Sequence, residues 1–188
     1  MQTLVLIHNR IFAILETYLA PILIPTLARF LFAASLLIYY FNSALTKVVD
    51  RRGGESGIFD YFTLEPGVYA QMFPRAFEAV GYDPSQLGFL YTLVAFAGTL
   101  AEFVLPVLIV IGFFTRLAAL GMTGFIFVQT WVDVTGHGGT LGAWFDRLSD
   151  GLIDERGFWI FLLLVLVLRG AGLISIDALL ARPITSQN

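Results

Sequence analysis

Residues Gly88 to Thr115, GFLYTLVAFAGTLAEFVLPVLIVIGFFT, are apolar throughout except for one carboxylate, Glu102. As a helix rising about 1.5 Å per residue, the stretch exceeds the roughly 30 Å hydrocarbon core of a bilayer, so it reads as a membrane span. Glu102 falls near its middle. An ionisable group at that depth is costly and usually functional. Pro106, four residues on, has no N–H to offer the carbonyl of Glu102, so one turn holds both an acid and a freed acceptor. Two readings stay open here. Glu102 is either protonated or Arg-paired and only ties helices together, or it belongs to a buried site for a proton, a quinone head group or another small polar ligand.

Composition places that span in an integral membrane protein of one domain. Of 188 residues, 57 % are hydrophobic and 13 % charged, and the mean hydropathy is +0.81, far from soluble composition. The net charge of -3 comes with no basic block, which argues against nucleic acid as a partner. The absence of cysteine excludes disulfides, thiol redox chemistry, iron–sulfur ligation and thiolate zinc sites. A redox role would therefore use a bound cofactor, a quinone or a partner chain. The N-terminus lacks the charged start, apolar run and small-residue cleavage site of a removable signal peptide.

Toward the N-terminus, residues 1–20 mix Leu4, Ile7, Ile11, Phe12 and Leu15 with His8, Asn9, Arg10 and Glu16, and stop at Pro21. This predicts an interfacial helix on the membrane, with a tilted, partly buried helix as the alternative. Pro21 and Pro25 suit a helix start, and residues 26–46 predict a first span holding Arg29 near one end. Tyr39 and Tyr40 followed by Lys47 suit the opposite headgroup layer, with Lys47 as an outer-face snorkelling cation. Residues 47–87 form a long outer loop rich in aromatics, Phe59, Tyr61, Phe62, Tyr69, Phe73 and Phe77 among them. Within it, Gly67 to Val80 could form an amphipathic helix lying over the bundle as a lid, since loops of this length usually cap or dock.

After the span at 88–115, Arg116 makes a short turn into a third span at 117–132, an antiparallel neighbour. Residues 133–156 form a second outer loop rich in glycine and acids. Asp133 and His137 stand four apart, but Gly136, Gly138 and Gly139 oppose a continuing helix, and two such residues are too few for a metal site, so none is assigned. Residues 157–169 predict a fourth span, ended by Arg169-Gly170-Ala171-Gly172. Ser175 then reads as the N-cap of a short C-terminal helix over 174–181, with Asp177 in its first turn.

Four spans put both termini on one side. The basic residues divide almost evenly, with Arg10, Arg29, Arg116, Arg169 and Arg182 on the terminal side and Lys47, Arg51, Arg52, Arg75, Arg147 and Arg156 on the other. That count does not choose an orientation. The acids lie mostly in the outer loops, so the terminal side is the more basic and is placed in the cytoplasm, against anionic lipid. There Arg29, Arg116, Arg169 and Asp177 could form one ionic cluster, its surplus positive charge met by Glu102, a lipid phosphate or an anionic ligand.

The string Arg29-Phe30-Leu31-Phe32, the run Asn42-Ser43-Ala44-Leu45-Thr46-Lys47, Ala101-Glu102, Gly112-Phe113-Phe114-Thr115-Arg116 and Gly170-Ala171-Gly172-Leu173-Ile174-Ser175-Ile176-Asp177-Ala178 together resemble the DoxX family. Arg29, Lys47, Glu102, Arg116 and Asp177 match its recurring polar positions, while Leu173 stands where many members carry a basic residue. The resemblance implies an all-α membrane protein, a four-transmembrane-helix bundle in the bacterial cytoplasmic membrane. Relatives include a subunit of thiosulfate:quinone oxidoreductase and a membrane partner of superoxide- and thiol-handling enzymes.

Two functions follow as expectations. The first is a membrane subunit of a quinone-linked oxidoreductase working with a redox or stress-response partner, with Arg29, Glu102, Arg116, Arg169 and Asp177 as ligand-binding candidates and Glu102 as the proton carrier. The second is a non-catalytic anchor, or a component that transports a small solute or serves metal stress, in which the same residues pack helices or meet lipid.

Overall fold

The computed structural model describes residues 1–48, 63–142 and 153–181, and the regular elements in them are helices, with one isolated antiparallel bridge between Val48 and Leu64. The first helix, α1, runs Gln2–Leu45 without a break. The interfacial helix at 1–20 and the first span at 26–46 are thus one element. A widened π-helical turn, Leu15–Leu19, lets Ala20 donate to Leu15 five residues back, and this opens the backbone where the Pro21 ring would otherwise crowd the preceding turn. A second such turn lies at Ala33–Leu37. Along α1 the buried residues Ala28, Phe32, Leu36, Tyr40 and Ala44 stand four apart, a spacing that would drift around a helix of 3.6 residues per turn. The wider turn in their midst keeps the stripe facing inward.

Two short helices follow, α2 (Gly67–Met72) and α3 (Pro74–Ala79), so Phe73-Pro74 divides the single lid helix expected over 67–80. Val68, Tyr69 and Phe77 pack with Ala95 as a small second core. Phe59, Tyr61 and Phe62 lie outside the described residues. Next come α4 (Phe89–Ile111), α5 (Thr115–Gly136), α6 (Arg156–Arg169) and α7 (Ile176–Leu180). Among the described residues, α1, α4 and α5 are long and apolar enough to cross a membrane. The 14 residues of α6 fall short of the roughly 20 that a span ordinarily needs.

Packing closes these helices into a ring, with α6 against α5 and α1, and α4 against α5 and α1. Phe32, Leu36, Tyr40, Ile109, Met122, Ile126, Leu163 and Leu166 fill the centre. At one end of the ring α4 stops at Gly112, whose φ of +72° allows its own N–H and that of Phe113 to reach the Leu108 carbonyl at 3.0 and 2.9 Å. A Cβ there would also sit 2.5 Å from Ser175 Cβ and 2.9 Å from Arg29 Cζ, so only glycine lets these three segments meet. Asp177 closes the adjoining helix start, accepting from the amides of Phe114 and Thr115 at 2.8 and 2.9 Å. Ser175 caps α7 by accepting from the Ala178 amide at 3.1 Å.

The N-terminal part of α1 takes no part in this packing. None of residues 2–19 is buried, and Leu4, Ile7, Ile11, Phe12 and Leu15 are all exposed.

Candidate functional site

Helical phase decides where the polar side chains of the α1 terminus go. Tyr40, Ala44 and Lys47 share one face, and Tyr40 and Ala44 are buried, so Lys47 turns inward and not toward the headgroups. This corrects the snorkelling role read for it, since Lys47 and Glu102 are each only 4 % exposed. Lys47 Nζ lies 2.9 Å from Glu102 Oε2, 2.7 Å from Ser43 Oγ and 2.9 Å from the Ser43 carbonyl. Its three N–H groups thus each have an acceptor. Ser43 Oγ in turn donates to Glu102 Oε1 at 3.3 Å, so both carboxylate oxygens are engaged.

The pair forms one wall of a cavity of about 510 Å³. Its other walls are mostly apolar, with Val94, Ala97, Gly98, Ala101 and Leu105 on α4 and Gly121, Phe125 and Val128 on α5. Gln71, Met72 and Phe73 cover one end, where Gln129, Asp133 and His137 also face in. Gln129 is held by the bundle, donating to Tyr39 Oη at 3.0 Å and accepting from Tyr40 Oη at 3.3 Å. The two tyrosines assigned to a headgroup layer therefore meet a glutamine inside the ring, and Tyr40 is fully buried.

The cover is seated by close contacts. His137 Nε2 donates to the Gln71 carbonyl at 2.9 Å. A Cβ on Gly98 would lie 2.9 Å from Met72 Cε, and one on Gly136 would lie 2.6 Å from Pro74 Cγ. Asp133, which falls within α5, is ion-paired with Arg156 at the start of α6. Asp133 and His137 thus turn to different partners, and among the described residues no group of three His, Asp or Glu is placed to hold a metal.

Arg29 lies elsewhere. It donates from Nε to the Ile109 carbonyl at 3.1 Å, from Nη2 to Val110, and from Nη1 to Ala171 at 3.0 Å and to Ile174. Those α4 carbonyls are seven and eight residues beyond Glu102, roughly 10 to 12 Å along the axis. A guanidinium on the carbonyl end of a helix meets the negative end of its dipole, so Arg29 staples α1 to α4 and to the turn before α7. Asp177 sits at the same end. Partial burial pushes its carboxyl up, but the Thr115 and Phe114 amides and the Arg29 charge outweigh this and hold it below the usual carboxylate range. Arg116 and Arg169 are exposed there, Arg116 lying against Gly170. The five candidate positions therefore divide, with Glu102 in the cavity and the other four at the far end of the ring.

The residue that sequence reasoning missed is Lys47 as the partner of Glu102. Its signal was present in the spacing of Tyr40, Ala44 and Lys47. The carbonyl of Gln71 and the seating glycines left no such trace, because they depend on how the cover folds back.

A family model described as DoxX matches residues 24–136, more than half of the chain. That range takes in α1 from Ile24, the cover, α4 and α5, and with them the Lys47–Glu102 pair. No curated protein and no solved structure gives a significant match.

Proposed function

Because the chain belongs to the DoxX family, we propose that this multi-pass membrane protein is the membrane subunit of a redox system, with the cavity as the site of a quinone head group. The observation that carries this reading is the buried Lys47–Ser43–Glu102 set in the wall of an otherwise apolar cavity of about 510 Å³. Such sites pair apolar walls with a few convergent polar groups. A quinone bound there would supply a two-electron, two-proton acceptor, a role that no disulfide can fill in a chain without cysteine.

In this reading the residues have separate tasks. A head-group oxygen takes over the Lys47 N–H now given to the Ser43 carbonyl or the Ser43 O–H now given to Glu102, and Glu102 is the group that carries a proton. Electrons come from a redox or stress-response partner outside the membrane, met at the end closed by α2 and α3. Arg29 and Asp177 hold the opposite end of the bundle, and Arg116 and Arg169 there meet lipid phosphate or another anion. The protein has four spans, α6 being the fourth, and lies in the bacterial cytoplasmic membrane with its termini inside.

Native mass spectrometry of protein purified in mild detergent tests the assignment, comparing wild type, Glu102→Gln and the double variant Lys47→Met/Glu102→Gln. The double variant removes both charges together and so leaves no buried ion unpaired. Quinone retained by wild type and lost from both variants, with helical content unchanged, is the expected result. Retention in all three would overturn the role of Glu102. Lipid alone in every sample would favour the anchor or transport reading instead.

A further inference from the structure

We propose that the cavity exchanges its ligand sideways with the bilayer, between α4 and α5, and that this ligand is an amphiphile with an uncharged, oxygen-bearing head and a long apolar tail. The inference rests on the cavity being a ligand site, as argued above, but not on the ligand being a quinone.

Exposure is unevenly distributed around the cavity. Its back wall holds Lys47 and Glu102, each 4 % exposed, whereas Val94, Ala97, Gly121 and Val128 line the same space and are exposed on the outer flank of the bundle. Val94 is five residues into α4 from the covered end and Gly121 six residues into the antiparallel α5 from the opposite end, so the flank lies roughly 8 to 9 Å inside both ends of the helix pair. That depth lies in hydrocarbon, not water. Ala97 has too little side chain to close the gap, and at Gly121 only the flexible Leu105 side chain lies across it. The polar end is therefore deep and the apolar end faces lipid, which orders an entering molecule head first.

The water-facing end is narrowed instead, with Gln71 and His137 exposed at its rim. Gln71, Met72 and Phe73 lie across that end, and the His137 bond to Gln71 and the contacts of Met72 on Gly98 and Pro74 on Gly136 hold them down. Charge then selects the head group. Lys47 and Glu102 neutralise one another at 2.9 Å, so a phosphate or carboxylate head would bring an uncompensated charge into a low-dielectric space. An uncharged head with oxygen acceptors can take, by exchange, the Lys47 N–H now given to the Ser43 carbonyl or the Ser43 O–H now given to Glu102, without that cost.

The test follows association of three decyl-tailed probes with the protein in lipid nanodiscs, corrected against empty discs. The probes are decylubiquinone, the redox-inactive neutral ester decyl trimethoxybenzoate, and decyl phosphate. Gly121→Phe and Val128→Trp fill the flank, the latter at a position that already carries an exposed side chain, and Gly136→Val loosens the cover. Both neutral probes should bind wild type, slow at least tenfold in the two flank variants, and change less than twofold in Gly136→Val, while decyl phosphate does not bind. Flank-dependent binding of the ester without decylubiquinone would keep this inference and remove the quinone reading. Decylubiquinone binding that ignores both flank variants, or quickens only in Gly136→Val, would keep the quinone and overturn lateral entry. Binding of decyl phosphate as tight as the ester would overturn the uncharged head. Failure of both neutral probes on wild type would overturn both readings.

Discussion

The Lys47–Glu102 pair shows how much of a site can depend on one turn of helix. A lone carboxylate in the middle of a span would have to be protonated or matched, and the match comes from Lys47, two residues past the end of α1, at 2.9 Å. Removing one member leaves the other buried and uncompensated. Glu102→Gln and Lys47→Met should each destabilise the protein by about 3 to 5 kcal/mol, and the double variant by less than either single one. Unfolding free energies in one lipid environment would measure the coupling directly. Simple addition of the two single effects would mean that the pair acts through packing and not charge. Arg29 belongs to a different class of cation, half-buried, since its N–H groups go to backbone carbonyls of two segments, the end of α4 and the turn before α7, and none goes to a carboxylate.

Among the elements, the start of α5 depends on a side chain more than sixty residues away. Asp177 accepts from the Phe114 and Thr115 amides and so serves as a cap supplied by α7, favoured by the positive end of the helix dipole. Asp177→Ala should cost about 1 kcal/mol near neutral pH. The folded carboxyl titrates below its ordinary value of 3.8. Its stabilisation is therefore complete above that ordinary value and is lost as the pH falls through the lowered folded one. Thermal unfolding of wild type and Asp177→Ala should differ at pH 7 and converge in strong acid, and an equal difference at both would rule out the carboxylate as the cause. The cap inside α7 was legible because Ser175 acts three residues away. The cap on α5 was not, since no local pattern links residue 177 to residue 114.

For the whole molecule, the apolar helices and the family were readable from composition and motif order, while the disposition of α6 was not. Its 14 residues can cross only if the bilayer thins or flanking Arg156 and Arg169 reach outward. The chain has no cysteine, so single cysteines can be introduced and labelled from either side of intact membranes. Thr3→Cys and Leu180→Cys should react from the cytoplasmic side and Thr140→Cys from the other. Ile11→Cys should resist a water-soluble maleimide because the unburied apolar N-terminal part of α1 meets lipid. Opposite sidedness of Thr3→Cys and Leu180→Cys would show that α6 does not cross.

Local chemistry was enough to read the span around Glu102, the cap at Ser175, the glycine stops and the all-helical membrane character. Each of these depends on hydrophobicity or on groups within a turn or two of chain. The tertiary structure decided what lies between helices. It sent Lys47 and Tyr40 inward, separated Arg29 from Glu102, joined α1 across Pro21, and laid α2 over a cavity between α4 and α5. Those outcomes rest on helix phase and on contacts between residues far apart in the chain, and periodicity within one segment does not encode which neighbour it meets.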